Sequence, residues 1–375
     1  MSSSPLISID PAASEPLVRQ VERGLAGMIS SGTLGHGTQL PSMRQLSEQT
    51  DVSMSVIRQA IARLTTEGYL RVDARKGVFV SRPRVRVGDI ALVLPMIKTH
   101  FMSRLVSGIH HALVGTDFRL VIESAECSFD DQITLLERLD LAFIKGVIIS
   151  PPPFAMHAPA IRELSRRGLP CVQVMSMLDQ TDTPAVVTDD FEMGRSAIDM
   201  LIDAGHTHIG VLDNNADARS MQDLRQGMNT ALSRINASLS SLPVVEGDAA
   251  ALDGEHPFQS SQDAASFMLE KYPDVTAIVG VTPNRAMGAL LAAKQRGMSC
   301  PADLSIVGVG GDLPMLDLMD ISLTMIDRPT EAIGRRAASL LQQRIDGDTQ
   351  LSRTIHLQPL IKDRGSVAPP RGTAP

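Results

Sequence analysis

The spacing of apolar and polar positions changes character along the chain, and the change marks its parts. Leu17, Val21, Leu25 and Met28 fall on one face of a first helix, because residues three and four apart share a face. The run Ser31-Gly32-Thr33-Leu34-Gly35-His36-Gly37 should end that helix. Ser42 stands three residues before Gln45, a capping-box spacing that predicts a short helix from Met43 to about Thr50 with Leu46 turned inward. Ser53 can cap the next helix, where Val56, Ile57, Ala60, Ile61 and Leu64 recur at helical spacing and bury one face. The period then drops to two. Residues 69–72 and 78–80 alternate like strands joined by Asp73-Ala74-Arg75-Lys76-Gly77. Helix, loop, helix, turn, helix and hairpin make an N-terminal winged helix-turn-helix over residues 1–80.

Residues 81–87 read as a basic linker, with Arg82, Pro83, Arg84 and Arg86 keeping it solvated. Beyond it, apolar runs of strand length alternate with amphipathic helices. The runs are 90–97, 119–124 and 146–150, with helices through Leu105, Ile109 and Leu113 and through Leu135 and Leu139. A second series follows at 208–214, 242–247, 277–281 and 304–309, with a helix through Met228 and Leu232. Such alternation predicts parallel sheets covered by helices, an α/β body over residues 88–366. Two series in succession suggest two similar lobes, and ligands bind open α/β sheets in the crevice beyond the strand ends. Residues 367–375 read as a disordered tail.

The 375 residues, 43% of them hydrophobic, suffice for two or three domains. Net charge is -7, yet the chain through Arg84 carries 10 Lys and Arg against 7 Asp and Glu, leaving 25 against 35 in the remainder. The positive balance therefore sits on the head, where it favours salt-sensitive phosphate contacts. Cys127, Cys171 and Cys300 are odd in number and widely spaced, which argues against a disulfide frame or structural zinc and fits a reducing cytoplasm. The start lacks a signal-peptide pattern, and no apolar stretch approaches ~20 residues, so no membrane association is expected.

The polar face of the helix after Ser53 carries Ser55, Arg58, Gln59 and Ala62. In a helix-turn-helix, the first turns of the second helix enter the major groove, where hydroxyls, Arg and Gln reach base edges and phosphates. Residues 16–80 resemble the GntR-type winged-helix regulators, with PLVRQVERGLAGMISSGTLGHGTQLPS as the opening helix and loop and DVSMSVIRQAIARLTTEGYL as the recognition helix. The resemblance implies contacts to double-stranded DNA from Arg44, from Ser53, Met54, Ser55, Arg58 and Gln59, and from Arg75, Lys76 and Gly77 at the wing tip. Met54 stands where that family usually has a base-reading Arg, which predicts a changed or relaxed base preference. Arg75 replaces a common wing Gly.

Residues 87–366 resemble the effector domains of LacI-type repressors, which look like periplasmic sugar-binding proteins. The matching stretches are 187–212, 276–309, 323–341 and 357–366. The resemblance implies three chain crossings between lobes, near residues 187–189, 326–329 and 357–361, and a small-molecule effector held between the lobes. The family's sugar-binding positions fall on Thr282, Pro283, Gly310, Met175 and Leu224, and the chain has no Trp and two Tyr. Sugar hydroxyls want carboxylates, amides and aromatic faces, so the expectation is an effector less hydroxyl-rich than a sugar, or no effector at all. Candidate effector residues are Phe101, Met102, Met175, Arg219, Arg225, Thr282 and Gly310, the two arginines being possible partners for an anion.

Other motifs invite blander readings. His206 with His208, and His110 with His111, lack the three or four converging ligands that a metal needs. Residues 308–311 lack GK[ST] and GxGxxG. Asp189 with Asp190, and Asp130 with Asp131, are adjacent and so point apart. No catalytic residue, metal or cofactor is expected. The leading expectation is a homodimeric transcriptional regulator, a repressor by preference, placing two recognition helices on a pseudo-palindromic operator. The alternative is a winged-helix head fused to an enzyme-like domain, pyridoxal-phosphate-dependent or other.

Overall fold

The structure, a computed structural model, describes residues 7, 9–11, 13, 15–66, 68–73, 76–81, 88–97, 100–125, 128–139, 143–151, 157–214, 218–247, 257–311, 313, 315–318, 321–348 and 354–371. The chain divides into two compact units, Met1–Val87 and Gly88–Pro375. Of the expected linker, residues 82–87 lie outside the described residues.

In the head, α1 (Leu17–Ser30), α2 (Met43–Thr50) and α3 (Met54–Thr66) precede a hairpin of β1 (Leu70–Asp73) and β2 (Gly77–Val80). Val21, Leu25 and Ile29 of α1 meet Leu46 of α2, Ile57, Ala60, Ile61 and Leu64 of α3, and Leu70, Val78 and Val80 of the hairpin in one core. The buried face of α1 is thus rotated from the expected one: Leu17 and Met28 are half-buried, while Ile29 is inside. The capping box forms in full. The Gln45 amide donates to Ser42 Oγ at 3.2 Å, and the Ser42 amide donates to Gln45 Oε1 at 2.9 Å. Asp51, in the left-handed region at φ 54°, makes the turn between α2 and α3.

The body begins with β3 (Gly88–Leu94), α4 (His100–Leu113), β4 (Phe118–Ser124), α5 (Phe129–Arg138), β5 (Ile144–Ile149), α6 (Ala158–Arg166), β6 (Cys171–Val174) and β7 (Ala185–Thr188). It continues with α7 (Asp190–Asp203), β8 (Ile209–Asp213), α8 (Arg219–Leu232), β9 (Val244–Glu246), α9 (Pro257–Lys271), β10 (Ala277–Gly280), α10 (Pro283–Gln295), β11 (Ser305–Val309), α11 (Met315–Leu318) and β12 (Thr324–Asp327). The last elements are α12 (Thr330–Ile345), β13 (Ile355–Leu357) and β14 (Leu360–Lys362).

Two six-stranded sheets result, ordered β13-β7-β6-β5-β3-β4 and β14-β12-β11-β10-β8-β9. All pairings are parallel except β14 with β12. The alternation of buried runs and amphipathic helices therefore does build two doubly covered lobes. The chain crosses between sheets after β7, after β12 and between β13 and β14, where the sequence places the crossings. The first and third crossings are tied together: the Asp189 amide donates to the Leu357 carbonyl at 2.9 Å.

Each lobe is clasped by a helix pair that meets through glycine. A Cβ on Gly194 of α7 would sit 2.0 Å from the Leu224 carbonyl of α8, and one on Gly227 of α8 would sit 1.9 Å from the Phe191 carbonyl. In the other lobe, a Cβ on Gly108 of α4 would lie 2.1 Å from the Glu331 carbonyl of α12. Only hydrogen at these positions lets the backbones touch.

The expectation of a disordered tail from residue 367 fails for residues 367–371. The Ala368 amide and carbonyl bond to Ser305 Oγ, both at 3.1 Å, and Arg371 pairs with Asp303. His206 organises this packing. The Ala368 carbonyl, which can only accept, lies 2.9 Å from Nε2, so Nε2 carries the proton and Nδ1 accepts from Thr276 Oγ1 at 2.8 Å. This Pro-containing tail is ordered because its backbone is satisfied by buried side chains, which composition does not reveal. Residues 372–375 lie outside the described residues.

Candidate nucleic-acid interface and interlobe crevice

On the head, the polar side chains of α3 form an open surface because the apolar ones are taken up inside. Ser53, Met54, Ser55, Arg58, Gln59 and Ala62 are all exposed, and Met54 keeps 40% of its surface. Ser53 Oγ accepts from the Val56 amide at 3.4 Å and lies 2.9 Å from Ser55 Oγ, so the first turn of α3 is closed by a side chain that also faces outward. Arg44 near the start of α2 is exposed and pairs with Glu48 at 3.0 Å, an i,i+4 pair weak enough to be exchanged for a phosphate.

The hairpin rests on a third strand-like segment that the sequence pattern does not predict. The Leu40 amide donates to the Val78 carbonyl and the Val80 amide to the Thr38 carbonyl, both at 2.8 Å. Gln39 Nε2 donates to the Lys76 carbonyl at 2.6 Å, and Gly77, at φ 111°, leaves the room that this side chain uses. Lys76 and Gly77 are thereby held exposed at the hairpin's turn, while Arg75 lies outside the described residues. Between the start of α2 and the hairpin runs an open groove lined by Ser42, Met43, Gln45, Val72, Asp73 and Lys76.

In the body, a crevice of about 230 Å³ lies where the lobes meet. From the first lobe come Met175 to Gln180, Val187, Thr188 and His356; from the second come Asp190 at the start of α7 and Ala218, Arg219, Ser220, Gln222 and Asp223 at the start of α8. Met175 adopts φ 67°, which turns the chain sharply after β6. Arg219 reaches across to pair with Asp179 and also lies 3.6 Å from Asp223. Asp190 is buried with Arg328 Nη1 at 2.6 Å. Burial pushes the Asp190 carboxyl above its ordinary range; Arg328 pulls it back, while Asp223 and Asp189 push further.

Of the seven candidate effector residues, Met175 and Arg219 line this crevice. The others serve elsewhere among the described residues. Met102 is buried in the core beneath α4 with Phe101 packed on it. Arg225 donates to Asp213 Oδ2 at 2.7 Å. Thr282 caps α10 by accepting from the Arg285 amide at 3.3 Å, and Gly310 makes a turn at φ 104° beside Pro283. The anion-binding role expected for the two arginines meets a physical obstacle, since both already face carboxylates. Asp179, Asp223 and Thr188 are crevice residues that the sequence pattern does not single out. The Asp190 side of the Asp189-Asp190 pair was visible there, but not its burial.

At the second crossing, Asp327 at the end of β12 takes Arg104 of α4 at 3.0 Å and Lys362 of β14 at 3.5 Å. One buried carboxylate thus gathers a cation from each lobe at a crossing. Among the described residues no cluster of His, Cys, Asp and Glu could hold a metal ion, and no helix is long and apolar enough to span a membrane.

Residues 17–80 match the family model for bacterial regulatory proteins of the gntR family, and residues 198–367 match a periplasmic binding protein-like domain. The chain joins a gntR-family head to a periplasmic-binding-protein-like body. This head-and-body chain is 25% identical to the arabinose metabolism transcriptional repressor of Geobacillus stearothermophilus, over 88% of its own length and 92% of the repressor's. It is 24% identical to catabolite control protein A of Priestia megaterium, over 86% and 94% of the two lengths. Its fold is similar to that of a LacI family transcriptional regulator from Enterococcus faecium solved with bound ribose. There the TM-score is 0.64 at 23% identity, covering 75% of this chain and 99% of that one. A CelR–cellobiose complex gives a TM-score of 0.65 at 22% identity, covering 94% of this chain.

Proposed function

We propose that the protein is a sequence-specific, DNA-binding transcriptional regulator, a repressor, whose affinity for its operator is set by a small molecule held between the two lobes of its body. The observation that carries the first half is the exposed face of α3, where Ser53, Ser55, Arg58 and Gln59 stand clear of the core beside the exposed start of α2 and the hairpin. Side chains of these types reach base edges when a helix enters the major groove. Arg44 and Lys76 would hold phosphates, Gly77 would let the wing backbone approach, and Arg75 would add charge at the tip. Met54, lacking hydrogen-bonding capacity, would contact a thymine methyl in place of a guanine edge.

Two copies of the chain, joined through their bodies, would present two such faces to a pseudo-palindrome about one DNA turn apart. The three crossings let the lobes turn about one another, and a ligand in the crevice shifts their balance by binding one arrangement better than the other. The relatives include an arabinose repressor, and a similar fold was solved with ribose. For this chain a simple sugar is disfavoured because no Trp is present, the described lining offers no Phe or Tyr ring to stack on, and Asp179 and Asp190 are already ion-paired. We assign no catalytic role and place the protein in the cytoplasm, with the DNA it regulates.

Genome-wide mapping of DNA bound by the full chain tests the reading. A small set of discrete sites sharing a pseudo-palindrome is expected; diffuse occupancy without a shared motif would overturn it.

A further inference from the structure

Among the described residues, the interlobe crevice holds more carboxylate than its own cations neutralise. Asp179, Asp190 and Asp223 line it. Against them stand Arg219, divided between Asp179 and Asp223, and Arg328, held by Asp190. Three carboxylates face two guanidinium groups, and Asp189 adjoins them at the first crossing. The rest of the lining is mixed, with Met175, Met177, Leu178 and Val187 as its main apolar surface and Ser176, Gln180, Ser220, Gln222 and His356 as polar groups.

A second feature is independent of charge. Thr188 lines the crevice and is 1% exposed, and its hydroxyl has no hydrogen-bond partner among the described residues. Leaving a buried hydroxyl unbonded is costly, so such a group marks a place where a partner arrives from outside. The crevice, at about 230 Å³, lies below the range of about 300 Å³ and upward that accommodates most small-molecule ligands, so its occupant is compact.

We propose that the effector is a compact organic ammonium compound, its cationic nitrogen facing Asp190 and Asp223, its hydrocarbon part on Met175, Met177 and Leu178, and its second polar end on Thr188. The inference rests on the crevice being the effector site of the proposed function. An ammonium supplies the missing positive charge and donates to carboxylates. An anion would have to displace Asp179 from Arg219. The charge of Asp190, which burial and neighbouring carboxylates disfavour and Arg328 favours, would gain a second compensating partner.

Isothermal titration of the full chain near neutral pH and at low salt decides the matter, with putrescine and n-butylamine as cationic probes and butanediol, succinate and ribose as matched comparisons. Saturable binding of an amine at least about tenfold tighter than the diol is expected. Asp223→Asn should weaken it at least about tenfold, and Thr188→Val should weaken the diamine more than the monoamine. Absence of binding by both amines, equal binding of the diol, succinate or ribose, or an unchanged affinity in Asp223→Asn would overturn the proposal. Binding of mapped genomic DNA by the same preparation separates the two layers. DNA bound without any amine response refutes the ammonium effector alone, whereas loss of specific DNA binding refutes the regulator reading beneath it.

Discussion

At the residue scale the head gives a clean separation between packing and reading. Arg58 is exposed and lies outside the head's core, so Arg58→Ala should leave thermal stability within about 0.5 kcal/mol of the parent. Operator affinity should fall by about 1.4–3 kcal/mol, roughly ten- to 150-fold, as fluorescence anisotropy with a mapped site would measure. Unchanged affinity would remove Arg58 from the interface. Met54→Arg should narrow base preference at one operator position, checked by comparing affinities across a set of single-base variants. These exposed positions were legible from the sequence because a helix with a filled apolar face has one direction left for Arg58 and Gln59. The crevice residues were not. Asp179 and Arg219 are forty positions apart, and Asp190 meets Arg328 across a far larger interval, so no local spacing announces either pair.

At the scale of elements, strands and helices were readable because their burial is periodic, and the boundaries fell close to cap residues such as Ser42. What escaped were features that depend on one element touching another. The face of α1 is set by side chains of α2, α3 and the hairpin, the strand-like segment at residues 37–40 by the backbone of β2, and the ordered tail by Ser305 and His206, all far away in the chain. The glycine contact between α7 and α8 is of this kind. Gly194→Ala drives a methyl into the Leu224 carbonyl, and overpacking of that sort should cost about 1–3 kcal/mol or more, seen as a lower melting temperature of the body. Gly297→Ala is no control, because its φ of 72° is strained for any side chain; Gly27→Ala in α1, with open space around it, is.

The packing of the tail onto His206 carries its own pH dependence. Burial lowers the affinity of this imidazole for a proton in the folded chain, with the Ala368 carbonyl partly opposing. The unfolded chain therefore binds more protons as pH falls through the ordinary histidine value of about 6.5, and stability drops with it. Above that value the contribution is fully present. Denaturant melts of the full chain should lose stability between about pH 7 and pH 5, and His206→Gln should flatten that part of the curve while lowering stability near neutrality. An equal slope in the variant would assign the dependence to other groups.

At the scale of the whole molecule, a basic head and an acidic body divide the work. In the proposed regulator, the head's positive balance would concentrate phosphate contacts there, and the body's net negative charge would discourage them. Affinity for specific DNA should therefore fall steeply with salt, by roughly 0.9 in log–log slope for each phosphate neutralised. Substituting Lys76 should reduce that slope by about one per head without altering sequence preference. In the body, Asp327 joins Arg104 and Lys362 at a crossing, so charge links the lobes there while the apolar cores stay within each lobe.

The central claim is that the winged head distinguishes one duplex sequence from others while held as a pair by the body. Selection of bound fragments from a pool of random duplexes by the full chain, at physiological salt, addresses it directly. The account predicts enrichment of a pseudo-palindrome with half-sites about one helical turn apart, bound at least about a thousandfold more tightly than scrambled duplex. Recovery of no common motif, with all duplexes bound alike and released together by salt, would contradict it.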